Sequence, residues 1–320
     1  MSLSHSISRR WKFGLLLTLI TCFCWGILPI TLMGVMHKID PLTLTFYRFF
    51  LAVIVLLPFL LVRGTLGQLR TLRKPVVGKH VLWAGLLLTC NYGFYLLALE
   101  RMSPTGAQVL IQLAPMLFLL SGIFLFKEPF TKFQWLGFFL FILGLILFFH
   151  LRLGAITNVL QSELPSSKTK DYAIGMILMV CASIAWAAYA IILKKVSSSM
   201  SSIHLMLVIN IIGMLCFLPL SSPFLVMQLN AFEWLLLILC GLNTVFAYGS
   251  FSEALNHWEA SRISAVLTIV PLLTMATIQV IKRYPIIEIE YEPLDSVVII
   301  GAGVVILGAA LTSLARKNSQ

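Results

Sequence analysis

The sequence predicts an all-α polytopic membrane protein in which ten transmembrane helices form two inverted five-helix repeats. Hydrophobic residues make up 59% of the 320 residues and charged residues only 11%, whereas soluble globular domains carry roughly 25% charged residues. Many apolar runs approach or exceed the ~20 residues that a helix needs to cross a bilayer. These runs lack the short alternating segments of a transmembrane β-barrel. We therefore expect helical spans, which satisfy their backbone hydrogen bonds internally.

Each predicted span is an apolar run bounded by charged residues or by breaks rich in Pro and Gly. The first follows the basic residues Arg9, Arg10 and Lys12 and lacks a small-x-small cleavage site, so we expect a retained helix and not a signal peptide. The third and fourth spans are separated only by ERMSP, and the eighth and ninth only by NHWE, which indicates two tight hairpins. The ten predicted spans are 13–36, 41–62, 81–99, 103–126, 133–150, 173–193, 203–220, 232–254, 260–281 and 295–314.

Lysine and arginine residues in the loops predict the orientation of the chain. If the N-terminus is cytoplasmic, fifteen of the 23 lysines and arginines fall in cytoplasmic segments and seven on the other side, with Arg48 inside the second span. The carboxylates divide the other way, with three inside and nine outside. Membrane topology therefore accounts for the net charge of +11, and a nucleic-acid-binding surface is not indicated. Both termini are expected in the cytoplasm.

An internal repeat relates NYGFYLLALERMSPTGAQVLIQLAP (91–115) to AYGSFSEALNHWEASRISAVLTIVP (247–271) at an offset of 156 residues. The offset is 161 in the earlier spans and 164 in the last span of each half. Equivalent pairs in chain order are Trp25 and Trp186, Tyr92 and Tyr248, Pro115 and Pro271, and Gly144 and Gly308. Because five is an odd number, the second half must cross the membrane in the opposite sense. Inverted repeats of this kind are typical of secondary transporters, with solute binding between the halves near the midplane.

The repeat predicts three parts of the chain. Residues 13–150 form the first repeat with spans 1–5, and residues 173–314 form the second with spans 6–10. The segment 151–172, LRLGAITNVLQSELPSSKTKDY, joins them as a flexible external linker because of its Ser, Pro and Lys content.

The motifs resemble those of the drug/metabolite transporter (DMT) superfamily, specifically its EamA-type members with ten spans in two tandem repeats. The resemblance is carried by CFCWGILPI, YRFFLA, YLLALERMSPTGAQVLIQLAPMLFLLSGIFLFKEP and LGFFLFILGLIL in the first half, and by IAWAAYAIILKK and ALNHWEASRISAVLTIVPLLTMA in the second. It implies a central cavity lined by spans 1, 3, 4, 6, 8 and 9, and it favours export over uptake. The chain departs from the family at IKRYPIIEIEYEPLD, where Tyr284 occupies the position equivalent to Glu128 and an acidic outer loop, 282–295, follows.

Polar and aromatic side chains within the spans are the candidate substrate-cavity residues, because such groups in a bilayer face partners or water-filled cavities. Asn91 and Tyr95 share a face of span 3, and Gln108 and Gln112 share a face of span 4, since each pair is four residues apart. For each of them, interhelical hydrogen bonding and substrate contact are both open. The full set is Trp25, Asn91, Tyr95, Gln108, Gln112, Trp186, Tyr189, Asn243, Tyr248, Ser264 and Thr268.

Arg48 carries a permanent charge seven residues into the second span. Either it snorkels to the outer interface or pairs with helix-end carbonyls, or it lines the outer vestibule and attracts anionic solutes. Its counterpart in the second half is Ile209, so the charge lies on one side only. Glu253, near the inner end of span 8, is the candidate for proton coupling. Pro115 and Pro271 are expected to bend spans 4 and 9, and the glycines of spans 5 and 10 to permit close packing, within the chain or in a dimer.

The sequence predicts a secondary transporter in the cell (inner) membrane that moves a small metabolite by alternating access, with an amino acid, a nucleobase-like compound or a drug as examples. The alternative is a membrane-embedded enzyme or a lipid flippase on the same scaffold, although the histidines and carboxylates do not cluster as a catalytic site requires. A channel would need rings of charge or carbonyl-rich filters, which the sequence does not show. The six cysteines have no CxxC spacing, so no metal or cofactor is expected. Expected partners are the substrate, the lipid bilayer and, as a further option, a second copy of the chain.

Overall fold

A computed structural model describes residues 11–126, 131–150, 167–197, 199–258, 260–283 and 296–314, and within these ranges every regular element is helical. Short 3₁₀ segments occupy Leu66–Arg73, Leu218–Leu220 and Pro223–Gln228. The α-helices are α1 (Trp11–Met36), α2 (Pro41–Val62), α3 (Pro75–Leu99), α4 (Pro104–Leu110), α5 (Leu113–Phe126), α6 (Lys132–Phe148), α7 (Ser167–Val196), α8 (Ser202–Phe217), α9 (Ala231–His257), α10 (Ala260–Leu267), α11 (Val270–Arg283) and α12 (Ser296–Leu314).

Capping residues determine where several helices begin. Asp40 accepts hydrogen bonds from the backbone N–H groups of Leu42 and Thr43 at 3.0 and 2.9 Å, and Pro41 occupies the first helical position of α2, where its missing N–H costs nothing. Reciprocal capping boxes begin α6, from Thr131 with Gln134, and α9, from Asn230 with Glu233. These caps are readable in the sequence and agree closely with the predicted starts of spans 2, 5 and 8.

Among the described residues, seven helical segments of 18 residues or more are long and apolar enough to cross a membrane, one of them being Pro104–Ser121, which runs through α4 and into α5. Two shorter apolar helices lie at Lys132–Phe148 and Ser296–Thr312. The prediction of an all-helical membrane protein is therefore confirmed, whereas a count of ten spans stays a prediction. Two helices begin earlier than their apolar runs: α3 at Pro75 and α7 at Ser167, inside the predicted linker. Lysine and other straight-chain residues continue a helix well. Hydropathy therefore locates only the part of each helix that is apolar enough for the hydrocarbon region of a membrane.

The fourth and ninth predicted spans are each divided in two. Turns at residues 111–112 and 268–269 separate α4 from α5 and α10 from α11. Pro115 and Pro271 explain the position of the breaks, because proline has no N–H and leaves the carbonyl four residues earlier without its helical partner. The expected bends are thus two-residue turns that interrupt the helices just before the two prolines.

The helices pack mainly in pairs from opposite halves of the sequence. The most extensive contacts join α6 to α12, α3 to α7 and α1 to α9, followed by α2 with α8 and α9. Large buried side chains between these pairs include Phe49, Phe141, Tyr189 and Phe251. The predicted linker region 151–166, the position pair Glu128 and Tyr284, and the acidic loop from residue 284 to 295 lie outside the described residues.

The α6–α12 contact uses glycine at four positions where a side chain would not fit. A Cβ atom on Gly137 would lie 2.5 Å from the backbone nitrogen of Thr312. A Cβ on each of the other three would also meet backbone atoms of the facing helix, and these glycines are Gly144, Gly301 and Gly308. Such close backbone approach is the use that membrane helices make of small residues. The glycine faces predicted for spans 5 and 10 therefore pack against each other within the chain.

Candidate functional site

A cavity of about 80 Å³ lies between the two halves of the chain, at the level of the breaks in the fourth and ninth spans. Trp25, which lines it, stands near the middle of α1. The remaining lining residues come from α1, α2, α3, α7 and α9 and from both broken spans. They are Leu28, Arg48, Asn91, Tyr92, Tyr95, Gln108, Ile111, Gln112, Ala114, Pro115, Trp186, Tyr248, Leu267 and Val270.

Aromatic rings from four helices form one wall of the cavity. Trp25 of α1 packs edge-on against Trp186 of α7 and Tyr248 of α9, with ring centroids 6.0 and 5.2 Å apart. Tyr248 also packs against Tyr92 of α3 at 5.5 Å. Edge-to-face aromatic pairs contribute about 0.5–1.5 kcal/mol each beyond their buried area. The wall therefore holds its shape and offers flat apolar surface to a solute.

Two glutamines satisfy carbonyl groups that prolines leave free. Pro29 lies inside α1, so the carbonyl of Trp25, four residues earlier, has no helical N–H partner. The side-chain amide of Gln108 donates to that carbonyl at 2.8 Å. In the same way Pro271 frees the carbonyl of Leu267, and the side-chain amide of Gln112 donates to it at 3.3 Å. The Gln108 bond thus joins α4 to α1 within the first half of the chain, and the Gln112 bond joins the first half to the second.

Other polar side chains also bridge helices. Asn91 Nδ2 donates to the carbonyl of Ala182 at 2.9 Å, and Asn243 Nδ2 donates to the carbonyl of Cys24. Interhelical hydrogen bonding, one of the two alternatives open from the sequence, is therefore present for the amide side chains. It does not use all of their hydrogen-bonding capacity, because Gln112 Oε1 and Asn243 Oδ1 have no partner among the described residues.

Arg48 lies in the cavity wall with only 2% of its surface exposed. Its guanidinium stacks over the ring of Tyr92, 4.1 Å from the centroid, while its Nε has no hydrogen-bond partner and no carboxylate of the described residues pairs with it. A cation–π contact contributes about 0.5–2 kcal/mol, whereas burying a charge costs several kcal/mol. The stacking therefore offsets only part of the cost, and the charge faces the cavity without a counter-ion.

The structure brings seven of the eleven predicted cavity residues around this space: Trp25, Asn91, Tyr95, Gln108, Gln112, Trp186 and Tyr248. The other four are buried but do not line it. Tyr189 packs behind Tyr248, with ring centroids 6.4 Å apart, Asn243 bonds to α1, and Ser264 and Thr268 lie within or just after α10.

Glu253 also lies away from the cavity, near the end of α9. Its carboxylate accepts from the Ser202 hydroxyl at 3.2 Å and the Asn256 amide at 3.1 Å, and contacts His257 Nε2 at 3.0 Å. This cluster links α8 to α9, so the described contacts of Glu253 hold helix ends together.

Sequence reasoning missed several lining residues that the internal repeat could have identified. Tyr92 is the repeat equivalent of Tyr248, yet only Tyr248 was predicted. Ile111 and Leu267 are also equivalent at the 156-residue offset, as are Ala114 and Val270. Applying the offset to Tyr248 would have identified Tyr92. The positions near Pro115 and Pro271 would have indicated the other two pairs.

Comparison with known proteins agrees with the resemblance noted in the sequence. The profile of the EamA-like transporter family matches residues 12–150 and again residues 173–314. An uncharacterized inner membrane transporter, YhbE, from Escherichia coli (strain K12) is 33% identical over 271 residues, 84% of this chain and 81% of that protein. An uncharacterized transporter from Haemophilus influenzae is 31% identical over 305 residues, 95% of both chains.

One solved crystal structure is similar in fold, with a TM-score of 0.66 and 19% sequence identity over 97% of this chain and the whole of that chain. The two family matches cover most of the sequence, and the prediction of an EamA-type protein is confirmed. The chain belongs to the EamA-like transporter family and is a membrane transporter.

Proposed function

We propose that the chain is a secondary transporter that carries a small metabolite through the central cavity by alternating access between two inverted five-helix repeats. The observation that carries the proposal is the composition of the cavity wall. Equivalent residues of the two halves stand on it in pairs: Trp25 with Trp186, Tyr92 with Tyr248, Ile111 with Leu267, and Ala114 with Val270. A solute site at the interface of inverted repeats has this paired construction.

The pairing of helices supports the same symmetry. Under the repeat, α3 corresponds to α9 and α7 to α1, so the α3–α7 contact corresponds to the α9–α1 contact, and both are extensive. In the α6–α12 pair and in the α2–α8 pair, each helix is the repeat equivalent of the other. Contact between such equivalent helices is expected where a twofold axis passes between them. The two matches of the family profile, one in each half, support a duplicated unit of about this length.

Inversion requires that each repeat crosses the membrane an odd number of times, and the charge distribution favours cytoplasmic termini. Lys74, just before α3, and Lys170, in the first turns of α7, are then on opposite sides of the membrane. In a background without native cysteines, Lys74→Cys is expected to react with an impermeant thiol reagent only from the cytoplasmic side, and Lys170→Cys only from the other side. Reaction of both from one side would exclude inverted five-span repeats.

Alternating access predicts that the cavity opens to each side in turn. Ala114→Cys places a thiol on the cavity wall with a small change in volume, whereas Ala98→Cys places one at a fully buried position of α3 away from the cavity. In right-side-out and inverted vesicles, we expect Ala114→Cys to react with an impermeant methanethiosulfonate from both sides and Ala98→Cys from neither. Access to Ala114→Cys from one side only would contradict alternating access.

The substrate is a small metabolite, and export is the favoured direction because of the family resemblance. The substrate class and the direction of transport can be tested in a growth screen, in which an overexpressing strain is exposed to toxic amino-acid analogues, antimetabolites and drugs. Overexpression is expected to raise resistance to the compounds that the chain exports. Gln112→Ala and Trp25→Ala should reduce that resistance at unchanged membrane expression, and transport that is normal in both variants would contradict the cavity assignment.

A further inference from the structure

The charge balance of the cavity is incomplete. Arg48 is 2% exposed, lines the cavity and has no counter-ion among the described residues. Because arginine does not deprotonate in proteins, the cavity keeps a positive charge at every physiological pH. An intramembrane charge of this kind marks a functional site by default.

The other side chains that line the cavity with Arg48 are neutral. Asn91, Tyr92 and Tyr95 of α3 and the tryptophan and glutamine side chains of the other walls carry no charge. The described carboxylates all lie near helix ends, and none lines the cavity: Asp40, Glu100, Asp171, Glu233 and Glu253. The described cavity residues therefore carry no anion to pair with Arg48, and a bound anionic solute would supply one.

We propose that the cavity recognises a small solute with a free carboxylate, and that the guanidinium of Arg48 binds this group. The inference rests on the proposed transport through the cavity and adds the chemical class of the substrate. Arginine suits the role because its planar fork of N–H donors matches the two oxygens of a carboxylate. The stacking on Tyr92 orients the fork, so little ordering is needed when the solute binds.

Two further unpaired polar groups line the cavity and indicate which other groups the solute carries. Trp25 Nε1 is a buried donor and Gln112 Oε1 a buried acceptor, and neither has a partner among the described residues. A hydroxyl or amino group next to the carboxylate would satisfy the acceptor, and polar groups left unpaired in a site reject analogues that lack their partner. The cavity, of about 80 Å³, has room for a small solute. These features fit short hydroxy or amino acids.

The test uses the full chain in lipid nanodiscs with propionate, lactate and alanine as probes, and the amide of each as its matched neutral partner. Binding is followed through tryptophan fluorescence, because Trp25 and Trp186 line the cavity. We expect lactate to bind at least about tenfold more tightly than lactamide, since a charge-assisted bidentate contact is lost in the amide, and more tightly than propionate, which has no hydroxyl group. In Arg48→Gln the preference for the carboxylate should disappear, and in Arg48→Lys it should be reduced.

The thermal stability of the solute-free variants separates binding from a structural role. If Arg48 is held as an uncompensated charge for the solute, Arg48→Gln removes a cost and should unfold at the same or a higher temperature than the parent chain. A clear loss of stability in both Arg48→Gln and Arg48→Lys would indicate a structural arginine and would overturn the inference.

Three binding results would also overturn it: equal affinity for the carboxylates and their amides, unchanged lactate binding in Arg48→Gln, or no response to any of the three carboxylates. None of these affects the labelling of Ala114→Cys, which reports access to the cavity and not its ligand. Failure of the carboxylate inference is therefore distinguishable from failure of the proposed transport.

Discussion

The contact between α6 and α12 permits a sharp test, because two glycines of the same helix have opposite surroundings. A Cβ atom on Gly308 would lie 2.7 Å from the carbonyl oxygen of Gly137 and 2.8 Å from the Cα of Phe141, both backbone atoms. A Cβ on Gly303, five residues earlier in α12, would meet nothing within 4 Å. Alanine at the two positions should therefore have opposite effects on stability.

The expected magnitude follows from these distances. Carbon atoms pack best at about 3.5–4.0 Å, so a methyl group at Gly308 requires α6 and α12 to separate by about 1 Å. Overpacking of this kind costs about 1–3 kcal/mol, and alanine recovers about 0.5–1 kcal/mol through its higher helix propensity. Gly308→Ala should be destabilised by up to about 2.5 kcal/mol on balance. Gly303→Ala should be neutral or stabilised by up to about 1 kcal/mol.

The assay heats the detergent-purified variants and measures the fraction of protein that remains in the monodisperse peak on size exclusion. Gly308→Ala is expected to lose that peak several degrees below the parent chain, and Gly303→Ala at or above it. If Gly308→Ala were as stable as Gly303→Ala, the two helix backbones would not approach as closely as the structure shows, and the argument from the glycine face would be wrong.

Two further predictions concern single contacts. Thr274→Val removes a 2.6 Å hydrogen bond from the threonine hydroxyl to the carbonyl of Gly26 and should lower stability by about 1 kcal/mol. The same heating assay measures this loss, and Thr274→Ser, which keeps the hydroxyl, is the control. Glu233 contacts His37 Nε2 at 2.8 Å and also accepts a hydrogen bond from the Asn230 backbone N–H at 2.8 Å. Glu233→Gln keeps the helix cap and should be close to neutral in stability, whereas Glu233→Ala should lose about 1 kcal/mol of stability. Equal losses in the two variants would show that the histidine contact provides the stabilisation.

Apolar runs made much of the fold predictable. The runs located the apolar helices to within a few residues at most ends, and the structure shows that Asp40 and Asn230 cap two of these helices. The early starts of α3 and α7 were not predictable from hydropathy, because a helix continues into polar sequence once its residues favour it. A scale that measures transfer into hydrocarbon does not register such an extension.

The cavity was predictable in composition more than in geometry. Polar residues at helical spacing identified Asn91 with Tyr95 and Gln108 with Gln112, and all four line the space. Which groups these amides bond could not be read from spacing, since Gln108 bonds a carbonyl 83 residues away in sequence. A proline inside an apolar helix is nevertheless a usable signal. It identifies a carbonyl that needs a donor from elsewhere, and amides in neighbouring spans are the natural candidates.

The α6–α12 contact has a consequence for the order in which the molecule is assembled. Among the described residues, α12 is the one element with which α6 makes more than incidental contact, and away from this contact α6 presents Phe139 and Leu143 to its surroundings. Because α12 follows α6 by about 150 residues in the chain, α6 is synthesised well before the helix that its glycine face contacts. Chains truncated before residue 296 would keep the residues of the cavity wall, yet leave the glycine face of α6 without the helix against which it packs.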